Sequence, residues 1–114
     1  MHELSIAEGI VSLVEEQARS HGAAGIEEVE LEIGRLSGVE PLALDFALES
    51  AVKGTLLAGA RLVRRYIPGE GKCTDCEAVF PLDSLPAPCP ACGSWWVSVV
   101  RGKELRVKSV VVSF

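Results

Sequence analysis

Cys73-Thr74-Asp75-Cys76 and, after twelve intervening residues, Cys89-Pro90-Ala91-Cys92-Gly93 decide how this chain is read. They hold all four cysteines of the protein, in two pairs of identical spacing. Two thiolates separated by two residues can grip one ion from a single tight turn. Two such turns face to face supply four sulfurs at the corners of a tetrahedron, the arrangement zinc takes in closed structural sites. Iron of the rubredoxin kind is the rival occupant of a tetrathiolate, and two disulfides are a third reading that a reducing compartment disfavours. With sulfur at every corner no position is open for water or substrate, so the metal holds structure. Gly93 suits a left-handed turn whose amides face sulfur, whereas Glu77 at the matching place makes the first knuckle look less regular. Trp95 and Trp96 come next; alternation in a strand would pack one over the knuckles and expose the other to a partner.

Outward from the cysteines, the segment 68–102 is rich in Pro and Gly, with Pro81, Pro86, Pro88 and Pro90 in its middle. So short a stretch with so few apolar residues needs a staple to fold. The flanking residues read as an α/β core. Apolar positions Ile6, Ile10, Leu13, Val14 and Ala18 predict a helix over 4–21, with Ser5 and Glu8 at capping-box spacing, or with a first turn that begins a residue or two earlier. Val29, Leu31 and Ile33 alternate with Glu28, Glu30 and Glu32, predicting a half-buried strand over 28–35. Pro41 opens a second helix that ends near Lys53, before Gly54, with Leu44, Ala47, Leu48 and Ala51 as its stripe, widened by Phe46 and Val52. Strands are expected over 60–67 and 104–112, their Arg and Lys side chains pairing with the glutamates of the first strand. The class is α+β: two helices on a small three-stranded sheet, residues 1–67 and 103–114, carrying an inserted zinc-ribbon-like domain, 68–102.

The chain has 114 residues, enough for one compact domain, or for one domain with a small appendage. Sixteen acidic against eleven basic residues give a net charge of −5, which opposes nucleic-acid binding because phosphate contacts need clustered Lys and Arg. No apolar run reaches the roughly 20 residues that span a bilayer, and the first residues lack a signal-peptide pattern. A cytoplasmic protein with reduced thiols is expected. No nucleophile–base constellation is visible, so the chain is not expected to be an enzyme.

Met1-His2-Glu3 gains interest from its position. An α-amine, deprotonated backbone amides and the His2 imidazole can surround one ion in a plane, which suits nickel(II) or copper(II) and not zinc. His21, beyond the first helix, is read as structural, since a cation there favours the helix dipole.

Together, Met1-His2-Glu3-Leu4-Ser5-Ile6, Leu31-Glu32-Ile33-Gly34, Leu36-Ser37-Gly38-Val39-Glu40-Pro41, the two knuckles and Glu104-Leu105-Arg106-Val107-Lys108-Ser109 resemble the HypA/HybF family over essentially the whole length. Those proteins are nickel metallochaperones for maturation of NiFe hydrogenase and, in some organisms, urease. The resemblance implies nickel(II) as transient cargo at Met1 (its amine), His2 and the backbone amide of Glu3. It also implies structural zinc at Cys73, Cys76, Cys89 and Cys92. The partners it implies are the hydrogenase large subunit, a HypB-type GTPase and, where urease is served, urease maturation proteins. Some members carry histidines beside the zinc insert, and this chain has none there. Strands flanking a separable insert would permit segment swapping into a homodimer. The competing readings are a zinc-ribbon module for nucleic acid or a polymerase partner, and a rubredoxin-like electron carrier.

Overall fold

The computed structural model describes residues 2–114. Helix α1 (His2–Ser20) is followed by β1 (Gly25–Gly34), α2 (Pro41–Ala51), β2 (Arg61–Ile67), β3 (Glu70–Cys73), β4 (Val79–Pro81), β5 (Val97–Arg101) and β6 (Leu105–Ser113). As the α+β reading expects, one sheet has the order β2-β1-β6; a second, β4-β3-β5, belongs to the cysteine segment.

Helix α1 buries Ala7, Val11, Val14 and Ala18, a stripe at four-, three- and four-residue steps. It starts at His2, the earlier of the starts the sequence allows, so Ser5 and Glu8 lie inside the helix and form no capping box. A carboxylate in the first turn, Glu3, meets the positive end of the helix dipole and helps hold those residues helical. Leu13, expected in the core, is about half exposed because it sits beside the buried stripe rather than on it. The helix stops at Gly22 (φ 73°), whose N–H donates to Arg19 O while Ala23 N–H donates to Ala18 O. This pair of bonds satisfies the carbonyls a helix end leaves over. His21 Nδ1 donates to Gln17 O at 2.7 Å, which gives the predicted structural role of this residue a concrete form.

Helix α2 begins as its sequence dictates. Glu40 is extended (φ −82°, ψ 118°) and its carboxylate accepts from Ala43 N at 2.6 Å, with Pro41 in the first turn. It ends at Ala51, with Val52 as cap and Gly54 (φ 75°) beyond, slightly short of the predicted Lys53. Leu44, Ala47 and Leu48 are buried. Phe46 is not part of that stripe and faces solvent. Glu15 of α1 ties down the following turn by accepting from Leu56 N at 2.9 Å.

Strand β1 lies in the centre of its sheet, and the expected cross-strand pairs form on both sides: Arg61 with Glu28 at 3.7 Å, and Arg106 Nε with Glu32 at 2.5 Å. Glu32 is buried, so that part of the polar face is not solvated as the alternation suggested. Arg64 pairs with Asp45 of α2 instead of a β1 glutamate.

The residues gather into two compact units. One runs to Leu31 and includes Val39–Arg64 and Val107–Phe114; the other is Glu32–Gly38 with Arg65–Arg106. The second unit thus contains the segment 68–102 and adds residues on either side of it. Its core is Cys73, Phe80, Leu82 and Cys89, with Leu36, Ala78, Ala87, Val97 and Val99 packed around them. β3 pairs antiparallel with both neighbours, placing Gly71 opposite Phe80 and Val99, and Cys73 opposite Val97.

Within this unit three glycines bring backbone against backbone. A Cβ on Gly34 would stand 1.9 Å from Gly102 O, and one on Gly69 would stand 2.0 Å from Leu82 O. Gly102 has φ 114°, and a Cβ there would meet Gly69 Cα at 2.7 Å. Leu36 N donates to Gly102 O, and Leu82 N to Gly69 O, so these strands are bonded together where they crowd.

Candidate metal centre

The structure brings all four cysteine sulfurs together, each within 4.8 Å of the others. Cys73 Sγ lies 3.5 Å from Cys92 Sγ, and Cys76 Sγ lies 3.6 Å from Cys89 Sγ. Four sulfurs each about 2.3 Å from a central zinc would be about 3.8 Å apart, so the cluster fits a tetrahedral ion closely. The sulfurs are too far apart to be disulfides, whose S–S length is about 2.05 Å.

The two knuckles repeat one backbone pattern. Glu77 N donates to Cys73 O at 2.9 Å, and Gly93 N donates to Cys89 O at 2.8 Å. Cys76 N points at Cys73 Sγ, as Ala91 N points at Cys89 Sγ. Gly93 has φ 79° and Glu77 has φ 65°. The first knuckle is therefore as regular as the second. The sequence pointed the other way because Glu77 is not a glycine, and the turn is imposed by its sulfurs and amides despite the side chain. A left-handed non-glycine residue costs on the order of 1 kcal/mol. Glu77 also lies 3.8 Å from Lys72, an exposed pair of small value. Glu77→Gly is accordingly expected to stabilise the zinc-loaded protein by about 0.5–1 kcal/mol. A denaturant midpoint that falls on this substitution would contradict the account.

Amides and neighbouring sulfurs divide the thiols into two kinds. The Cys76 and Asp75 amides hold the Cys73 thiol down to about 6 against the burial that opposes them. Those of Cys92 and Ala91 likewise lower Cys89. At Cys92 the Ser94 amide pulls down, but the sulfur of Cys73, burial and the sulfurs of Cys76 and Cys89 together push it up to about 12. At Cys76 the Ala78 amide is outweighed by burial and by the Cys89 and Cys73 sulfurs, and the thiol is raised. Without a cation, four adjacent thiols cannot all ionise; a dication among them favours four thiolates and displaces the remaining protons.

The knuckles are laced to each other. Thr74 donates to Trp96 O through its backbone N and its Oγ1, both at 2.9 Å. Ser94 Oγ donates to Asp75 and accepts from Trp96 N. These residues were not singled out in the sequence, because Ser, Thr and Asp in a turn carry no spacing that names their partners. Trp95 and Trp96 precede β5 rather than lying in it, so alternation does not apply. Both rings are exposed, at 64% and 75%, and the main chain closes over the first knuckle instead of an indole.

In the other unit His2 is exposed at the start of α1, and Glu3 is half-buried beside it. The expected nickel ligand Met1 lies outside the described residues. Glu3 accepts from Glu40 N at 3.0 Å, the largest of the contacts that hold its carboxyl down to about 2. His2 and Glu3 thus belong to an anchored helical turn and not to a free tail. The first four N–H groups of a helix lack intrahelical acceptors, so their two amides are not taken by the helix ladder.

Comparison with known proteins agrees with this layout. A family model described as hydrogenase/urease nickel incorporation, metallochaperone, hypA matches residues 1–112. The Hydrogenase maturation factor HypA of Parabacteroides distasonis is 62% identical over 112 residues, covering 98% of this chain and 97% of that one. Its namesake from Geobacter metallireducens is 47% identical, covering 98% and 99%. Among solved structures, the Ni metallochaperone HypA from Helicobacter pylori is similar, with a TM-score of 0.70 at 30% identity over 99% of this chain and 98% of that one. With a model spanning nearly its whole length and relatives this similar, the chain belongs to the HypA family of hydrogenase and urease nickel-incorporation metallochaperones.

Proposed function

We propose that this protein carries nickel(II) for the maturation of NiFe hydrogenase, binding it through the Met1 amine, His2 and the Glu3 amide, while Cys73, Cys76, Cys89 and Cys92 hold zinc. The observation that carries this reading is that the chain holds two donor sets of opposite character, one in each compact unit. An all-sulfur cluster with Cys73 and Cys89 buried and no open ligand position suits a resident structural ion, and an exposed imidazole beside two helix-terminal amides suits an ion that must leave. Closing five-membered rings between successive backbone nitrogens needs ψ near 0°, about 40° from the helical value, so loading reshapes the first turn of α1. Deprotonated amide ligands make affinity fall as pH falls, which gives release a lever. The protein acts by binding and transfer, without catalysing a bond change. Its partners are the hydrogenase large subunit and a HypB-type GTPase, and its compartment is the cytoplasm, where the thiols stay reduced. Residues 68–102 form the zinc domain, inserted in a nickel-binding domain of residues 1–67 and 103–114.

The test is a nickel titration of the unmodified protein, His2→Ala and a form extended before Met1. Both altered forms are expected to lose at least tenfold in nickel affinity, while zinc content and circular dichroism stay unchanged. Undiminished nickel binding by the extended form would remove the N-terminal site.

A further inference from the structure

From His2 to Ser20 the carboxylates are Glu3, Glu8, Glu15 and Glu16 against Arg19, which pairs with Glu15, and from Glu40 to Lys53 they are Glu40, Asp45 and Glu49 against Lys53. Arg64, which reaches α2 from β2, is engaged by Asp45. In this acidic frame stand Leu42 and Phe46, one helical turn apart on the same face and 76% and 77% exposed. Glu49 continues that face at the next step, and Leu4 of α1 is about half exposed. A lone exposed leucine means little, but here two large apolar side chains align on a helix whose core side is already filled by Leu44, Ala47 and Leu48. The ridge also begins beside the proposed nickel site, since Glu40 N is bonded to the Glu3 carboxylate, one residue from His2.

We infer that the Leu42–Phe46 ridge is the docking surface for a protein that exchanges nickel at His2, one offering an apolar recess bordered by Lys and Arg. The inference rests on the nickel-delivery reading. A second copy of this chain is the poorer occupant, because the same face would oppose acid to acid, and an anionic membrane is disfavoured by the same charge. An apolar anchor in a complementary charged rim supplies affinity from its centre and steering from its edge. Docking there brings acceptor ligands to the first turn of α1.

The test uses Leu42→Ser/Phe46→Ser and, separately, Glu49→Lys. Both changes are at exposed positions and should leave the fold, zinc and nickel binding intact. The probes are the purified HypB-type GTPase and the hydrogenase large-subunit precursor, immobilised for binding measurements. The double serine variant is expected to bind at least one of them tenfold or more weakly. Glu49→Lys should weaken the same interaction, most at low salt. Unchanged binding to both probes, no binding of either by the unmodified protein, or a changed oligomeric state in the double variant would each overturn the inference. Nickel titration of the same preparations tests the delivery reading on its own, so a failed docking surface and a failed nickel site give different results.

Discussion

Cys89→Ala is expected to abolish tight zinc binding and to unfold β3, β4 and β5 while both helices stay folded. Two of the four residues at the centre of that unit, Cys73 and Cys89, are proposed metal ligands, leaving only Phe80 and Leu82 as buried apolar anchors. Segments of this size seldom bury enough to offset the entropy of ordering. Structural zinc, by contrast, contributes on the order of 10–16 kcal/mol to the folding of zinc-finger peptides. Removing one ligand should therefore cost more than the small core can supply. Hydrogen exchange would report it as lost protection across 70–101, alongside retained helical circular dichroism. Chelation of the unmodified protein should reproduce the pattern. Loss of helix throughout would show that the zinc unit does not fold as a separate part, and full protection would show that the metal is dispensable.

The second large effect is expected where no side chain reaches. At Gly34→Ala the new methyl would meet the carbonyl oxygen and carbon of Gly102 at 1.9 and 2.1 Å and Glu104 N at 2.7 Å. All three are backbone atoms, and the backbone is bonded there: Gly34 N donates to Glu104 O at 2.6 Å and Leu36 N to Gly102 O at 2.7 Å. Relief requires breaking those bonds or moving a strand, so a loss of about 3 kcal/mol or more is expected in urea unfolding. Gly38→Ala is the control. It has φ 84° but nothing within 4 Å of the added carbon, so it pays for backbone strain alone, about 1 kcal/mol. Equal costs at the two positions would mean that close approach does not matter at Gly34.

What could be read from the sequence was whatever repeats or is spaced. The alternation of Val29, Leu31 and Ile33, the Pro41 helix start and the paired cysteines each carry their geometry in a local pattern, and the first sheet and the sulfur cluster follow. Strands β3, β4 and β5 have no such pattern. At three to five residues each they exist through pairing with one another, as Gly71 with Phe80 and Val99 shows. What holds the first turn of α1 has no local signature, since Glu3 is held by Glu40, thirty-seven positions away. The exposure of Phe46 escaped for a different reason. Its place next to a buried stripe looks apolar by composition, and only the rotation of α2 on its neighbours decides which side it takes.

The lacing of Thr74 and Asp75 to Ser94 and Trp96 gives the protein an optical gauge of its own. Its two tryptophans both stand at that seam, and their indoles face water while their main chain is fastened to the opposite knuckle. If the knuckles part, the main chain that carries both indoles loses its fastening to Thr74, and the indole environment changes with it. Emission from the unlabelled protein can therefore follow zinc retention in real time while nickel is loaded and handed on.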